Sequence, residues 1–185
     1  SFTLLRDLIA FPADKKFATK EEDEVLFIDR ESLNNTPKKF FTPEEENNFF
    51  TLFTELPTTN TKDINTHLQA MQQAWKERGI DFRYKNDPTK ASLISAVFHS
   101  QITPEENTLF IGHVGVLVPF EGKLLFIEKL AFQEPYQAIK FANRTQLSDY
   151  LMNRYDVEWE QPNAIPFIME NDALMEGYRP NPYKK

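Results

Sequence analysis

"IGHVGVLVPFEGKLLFIEKLAF", residues 111–132, is the least polar long stretch of the chain. Its valines, leucines and phenylalanines suit strands, and Glu121-Gly122, an acidic residue followed by glycine, suits a tight two-residue hairpin turn. With that turn, Gly115 faces Glu128 and His113 faces Leu130. Because side chains alternate, His113, Gly115 and Leu117 share a face with Phe126, Glu128 and Leu130, while Val114, Val116, Val118, Leu125 and Ile127 form the other. His113 and Glu128 become diagonal neighbours, about 7–8 Å apart at Cα, close enough for their side chains to meet. Gly115 leaves room for the contact. A slip of one residue would separate the two onto opposite faces.

Strands extend outward from this hairpin. "SLISAVFHSQI" precedes it across a "TPEEN" turn, and "EPYQAIKFAN" follows, so an antiparallel meander is expected. "RTQLSDYLMNRY" reads as a helix, and the rest of the C-terminal part as mostly irregular, ending Pro-rich. Upstream, Phe2, Leu5, Leu8 and Ile9 recur at helical spacing and predict a helix over 2–10. Thr42-Pro43-Glu44-Glu45 is a strong helix start, with a Thr cap, Pro at the first helical position and Glu closing a capping box. That helix should run to about Leu56. Another is expected from Asp63 to Arg78, with Gly79 as its stop and His67 beside its apolar face as an interface histidine. Helices first and a sheet later make an α+β domain.

At 185 residues with 17 Phe, the chain suits one domain, 1–185, with a layered hydrophobic core. A net charge of −7 argues against nucleic acid or anionic lipid as a partner. With no cysteine, there is neither a disulfide nor a Cys-based zinc site. No apolar run reaches the roughly 18–20 residues of a membrane span. The acidic run Glu21-Glu22-Asp23-Glu24 lacks EF-hand spacing and its glycine, so it reads as a solvated face.

A carboxylate buried without a partner is costly, whereas one that accepts from an imidazole fixes the ring's tautomer and raises its basicity. That pairing is the base-and-orienter half of a catalytic triad. It equally describes a hydrogen bond that only satisfies two half-buried groups. His99, on the preceding strand, would come near His113 in some registers, but a His99, His113, Glu128 metal site needs two registers to fall right, and neither metal nor cofactor is expected.

"GHVGVLV", a short turn and "KLLFIEKLA" resemble the histidine segment of the NlpC-type papain-like cell-wall hydrolases, over about a tenth of the chain. The resemblance implies a papain-like fold, with N-terminal helices packed on an antiparallel sheet. It makes His113 the general base and Glu128 the orienting residue, where His, Asn or Gln is more usual. The longer pattern "IGHVGVLVPFEGKLLFIEKLAFQEPYQAIKF", with "FTLLRDLI" upstream and "TQLSDYLMNRY" after, resembles the bacterial domain-of-unknown-function family 4300 over most of the chain. That likeness implies an exported protein, often a lipoprotein, and brings no established activity.

Papain-like enzymes place a nucleophilic Cys at the start of a helix packed on the sheet, where the helix dipole and the His lower the thiol pKa. The resemblance places that Cys a few residues before Ser1: either it lies in residues outside this sequence, and the first helix should then start facing His113, or the protein has no thiol and is inactive. Ser1 and Thr3 are more simply first-turn residues. The expected activity is a cysteine amidase or peptidase on cell-envelope peptide amides, and the alternative is an inactive binding or structural module of the same fold.

Overall fold

The computed structural model of the chain describes residues 2–13, 26–35, 41–131 and 134–184. In chain order these hold α1 (Phe2–Leu5), a 3-10 turn over Arg6–Leu8, β1 (Ile9–Ala10), α2 (Phe27–Asn35), α3 (Pro43–Phe53), β2 (Leu56–Pro57), α4 (Ile64–Glu77) and β3 (Asp81–Phe82). There follow β4 (Ser92–Gln101), β5 (Asn107–Phe120), β6 (Lys123–Lys129), β7 (Tyr136–Phe141), α5 (Arg144–Tyr155), β8 (Phe167–Glu170) and β9 (Ala173–Leu174). The chain is α+β, with an antiparallel sheet in the order β7-β6-β5-β4-β8-β9 and β2 on the far end of β5.

The central hairpin turns where its sequence requires. Glu121 and Gly122 both have positive φ, 49° and 72°, the turn whose twist matches its flanking strands. Gly115 faces Glu128, as the register required. The ladder ends there, so His113 has no Leu130 opposite it and pairs with Ala96 of β4 instead. The space above Gly115 is filled by the Phe126 ring, which a Cβ at 115 would meet at 2.3 Å.

Alternation then divides the core in two. One face carries Leu93, Val97, Leu109, Val116 and Phe167, packed with Phe2, Leu5, Leu52, Met71 and Trp75 from the N-terminal half. The other carries Ile94, Ala96, Leu117, Phe126 and Ile168 under Leu147, Leu151 and Met152 of α5. The sheet is therefore a middle layer, covered on both sides as long apolar strands demand.

Local signals explain the helices. The Thr42 hydroxyl accepts from Glu45 N–H while the Glu45 carboxylate accepts from Thr42 N–H, completing the capping box before Pro43. Asp63 caps the N–H groups of Asn65 and Thr66, and Gly79, at φ 72°, follows the end of α4. Arg78 reaches back to the carbonyls of Thr51 and Thr54 and so ties α4 to the end of α3.

Several elements differ from the expectation. The helix over 2–10 tightens into a 3-10 turn and gives way to β1, because Ile9 and Ala10 find backbone partners in Phe82 and Asp81. α3 ends at Phe53, and Leu56 pairs with Leu109. β8 was hidden in a segment read as irregular: "FIME" is short and buried on both sides, so it shows no alternation, yet it lies in the sheet beside β4. The acidic run at 21–24 lies outside the described residues.

Candidate functional site

Glu128, the last residue of β6 paired with β5, is fully buried. Its Oε2 accepts from His113 Nε2 at 2.5 Å, and its Oε1 accepts from Gln137 Nε2 at 2.6 Å and from the Tyr150 hydroxyl at 2.5 Å. Gln137 faces Glu128 directly across the β6–β7 ladder, and Tyr150 descends from α5. Three donors on one carboxylate are what a buried charge requires. Burial pushes the Glu128 carboxyl up, but the hydrogen bonds from His113, Tyr150 and Gln137 outweigh it and hold the group below the usual carboxylate range. Burial and the neighbouring carboxylate push the Tyr150 phenol up to about 12, so Tyr150 remains a donor at neutral pH.

The imidazole is fixed in its plane as well as at its nitrogen. The Tyr155 ring stacks on His113 with centroids 4.8 Å apart and 28° between planes, and Tyr155 in turn meets Phe98 edge-on at 6.0 Å. With Nε2 committed to Glu128, chemistry is left to Nδ1, which bonds to no other group among the described residues. The arrangement is that of a base whose far nitrogen is anchored and whose near nitrogen is available.

Two features of the backbone border this site. Between Ala96/His113 and Val97/Ile111 the β4–β5 register shifts, leaving Gly112 as a bulge residue. On its other side, β5 pairs with β2 up to Leu109 and with β6 from Gly115, so no described strand partners residues 110–114 there. Next to the bulge opens a cleft of about 760 Å³, walled by Phe98, Phe110, Gly112, Tyr155, Trp159 and Asn163 among others.

The expected pair, His113 and Glu128, is thus brought together, and other expectations are not met. His99 is three residues from Ala96, the cross-strand partner of His113, and so projects from the opposite face, where its ring lies against His67. His99, His113 and Glu128 therefore do not converge, and no cluster of three potential metal ligands occurs among the described residues. Phe2 packs against Phe41, Phe49 and Phe53 on that same far face, so α1 lies across the sheet from His113 rather than starting beside it. Thr3 is exposed on α1, and Ser1 lies outside the described residues.

Gln137, Tyr150 and Tyr155 were not singled out from the sequence. Gln137 had a signal, because it shares the face of Ile139 and Phe141 in a strand whose polar residues should otherwise point out. Tyr150 sits between Leu147 and Leu151 on the covered side of α5.

No curated protein and no solved structure is detectably similar to the chain. One family model matches residues 1–175, and on that match the chain belongs to the family described as a domain of unknown function, DUF4300.

Proposed function

We propose that His113 is the general base of a papain-like hydrolytic site acting on amide or ester carbonyls, with Glu128 as its orienting partner. One observation carries the reading: a fully buried carboxylate, held by three donors, that anchors one nitrogen of an imidazole whose other nitrogen has no partner among the described residues. The nucleophile is a cysteine thiol in sequence preceding Ser1. Its proton passes to His113 Nδ1 as sulfur attacks the carbonyl, Glu128 stabilises the imidazolium, and the same proton leaves with the amine or alcohol. Water, deprotonated by His113, then releases the acid from the thioester. α1 packs on the far face of the sheet, so the helix that should present the thiol does not start beside His113, and the reading rests on the His113–Glu128 pair. Peptide amides of the cell envelope are the substrate class, and an extracytoplasmic, lipid-anchored location goes with it; both rest on resemblance.

The placement of α1 across the sheet favours a second reading, an inactive envelope binding module that keeps the His113–Glu128 pair as a structural bond. The protein extended by its native residues upstream of Ser1 separates the two. Iodoacetamide should alkylate a cysteine there at neutral pH, and His113→Ala should slow the labelling by about tenfold or more. A gene with no upstream cysteine, or labelling indifferent to His113, overturns the hydrolase reading.

A further inference from the structure

On the sheet face away from His113, two imidazoles lie ring against ring. His67 of α4 and His99 of β4 have centroids 4.6 Å apart, tilted by 34°, and both are buried, 0% and 4% exposed. Every nitrogen of the pair has a partner. His67 Nε2 meets the Thr61 carbonyl at 2.9 Å, which only accepts, so this nitrogen carries the hydrogen; its Nδ1 then accepts from the Thr58 hydroxyl at 2.9 Å. His99 Nδ1 accepts the Ala164 backbone N–H at 2.8 Å, and its Nε2 faces Asn107 Oδ1 at 3.1 Å, the Asn107 amide nitrogen donating to the Pro104 carbonyl. His99 is therefore neutral, with its hydrogen on Nε2; His67 also carries a hydrogen on Nε2, and burial favours its neutral form, in which Nδ1 accepts from Thr58.

The partner of His99 is the wall of the cleft. Residues 157–166 hold no helix or strand, and Trp159, Gln161, Asn163, Ala164 and Ile165 line the cavity. This segment continues into β8 at Phe167, its Pro166 carbonyl accepts from the Tyr178 hydroxyl at 3.0 Å, and residues 162–164 bond to the neighbouring residues Lys62, His99 and Gln101. Ala164 N–H goes to His99, Gln101 N–H goes to Asn163 Oδ1 at 2.8 Å, and Lys62 Nζ donates to the Pro162 carbonyl and, at 2.9 Å, to Gln101 Oε1.

We propose that the His67–His99 pair is a proton-released latch, in which a proton on His99 Nδ1 ejects the Ala164 N–H and frees the wall of the cleft. Protonation turns the acceptor into a donor facing a donor, so the bond cannot survive it. The surrounding charges set when this happens. Lys62 opposes a charge on either ring, Asp63 at the cap of α4 favours one on His67, and each ring opposes the other at 4.6 Å. Arg154, Asp156, Glu158 and Lys184 stand with His99 around the cleft, Asp156 being paired with Lys184. Burial holds both histidines below the ordinary histidine range, so the latch is closed at neutral pH and opens only as the pH falls below about 6.5. The latch acts on the cavity whatever chemistry His113 performs.

Amide hydrogen exchange on the ¹⁵N-labelled protein, between about pH 7.5 and pH 5, tests this directly. After correction for intrinsic exchange, opening at Ala164 should rise by about tenfold per pH unit once His99 begins to take up its proton, and His99→Gln, which cannot titrate, should abolish the rise. Wild-type imidazole ¹⁵N shifts at the upper pH should place the His67 and His99 hydrogens on Nε2, a result that stands even if the variant fails to fold. Protection of Ala164 that is unchanged across the range, a pH-dependent rise that persists in His99→Gln, or a His99 hydrogen on Nδ1 overturns the latch.

Discussion

Tyr150 on α5 and Glu128 on β6 are joined by a hydrogen bond of 2.5 Å, so the helix covering one face of the sheet is fastened to the carboxylate that holds His113. The orientation of the candidate base thereby depends on the seating of α5. Leu147, Leu151 and Met152, all fully buried, seat it.

Removing the phenol oxygen tests that link. Tyr150→Phe keeps the ring and leaves Gln137 on Glu128 Oε1, so it should cost about 1–2 kcal/mol in urea unfolding. A neutral or stabilising result would mean that the short contact contributes nothing to the fold.

Substitutions at Glu128 should rank by what they leave unpaired. Glu128→Gln keeps one acceptor oxygen and should cost about 1–3 kcal/mol. Glu128→Leu strands the donors of His113, Gln137 and Tyr150 in a dry site and should cost about 3–5 kcal/mol. The reverse order, read from denaturant midpoints, would contradict a network built around the anion.

Two glycines of the hairpin should respond to alanine for different reasons. At Gly115 the new Cβ meets the Phe126 ring at 2.3 Å and the Ile127 carbonyl oxygen at 2.9 Å, and overpacking of this kind costs about 1–3 kcal/mol. At Gly122 nothing lies within 4 Å, and only the φ of 72° opposes the change, at about 1 kcal/mol. Reconstruction around Gly115→Ala should show a displaced Phe126 ring, whereas Gly122→Ala should leave the side-chain packing unchanged.

Acid should destabilise the fold in two limbs. His67 and His99 titrate below the ordinary range in the native state, so below about pH 6.5 the unfolded chain binds more protons and stability falls with falling pH. Glu128 is likewise depressed; the stability it contributes is complete above the usual carboxylate range and is lost as the pH drops through its native value. Thermal melts against pH should lose the upper limb in a His67→Gln, His99→Gln double variant and weaken the lower one in Glu128→Gln. A single limb unaffected by these changes would refute the assignment.

The hairpin was legible because three local signals agreed: alternation, a turn dipeptide, and polar residues that a buried face must pair. The capping box at Thr42 and the stop at Gly79 were legible for the same reason, since each is written in a few adjacent residues. β8 was not, because a short strand buried on both sides carries no period. Nor was the side of the sheet taken by α1: Phe2 and Leu5 state that the helix is amphipathic, and nothing local says which face it covers. The site shows the same division, with His113 and Glu128 connected by one turn, whereas Tyr150 and Tyr155 arrive from a helix whose docking is set by the whole core.

The claim on which the site rests is that Glu128 anchors Nε2 of His113 and leaves Nδ1 as the basic nitrogen. Imidazole ¹⁵N–¹H correlation spectra, taken at a pH where the ring is neutral, read this directly in a chain with only three histidines. The His113 hydrogen should sit on Nε2 and should move or exchange rapidly in Glu128→Leu. A wild-type His113 with its hydrogen on Nδ1 would contradict the claim, because the nitrogen proposed to take a proton would already carry one.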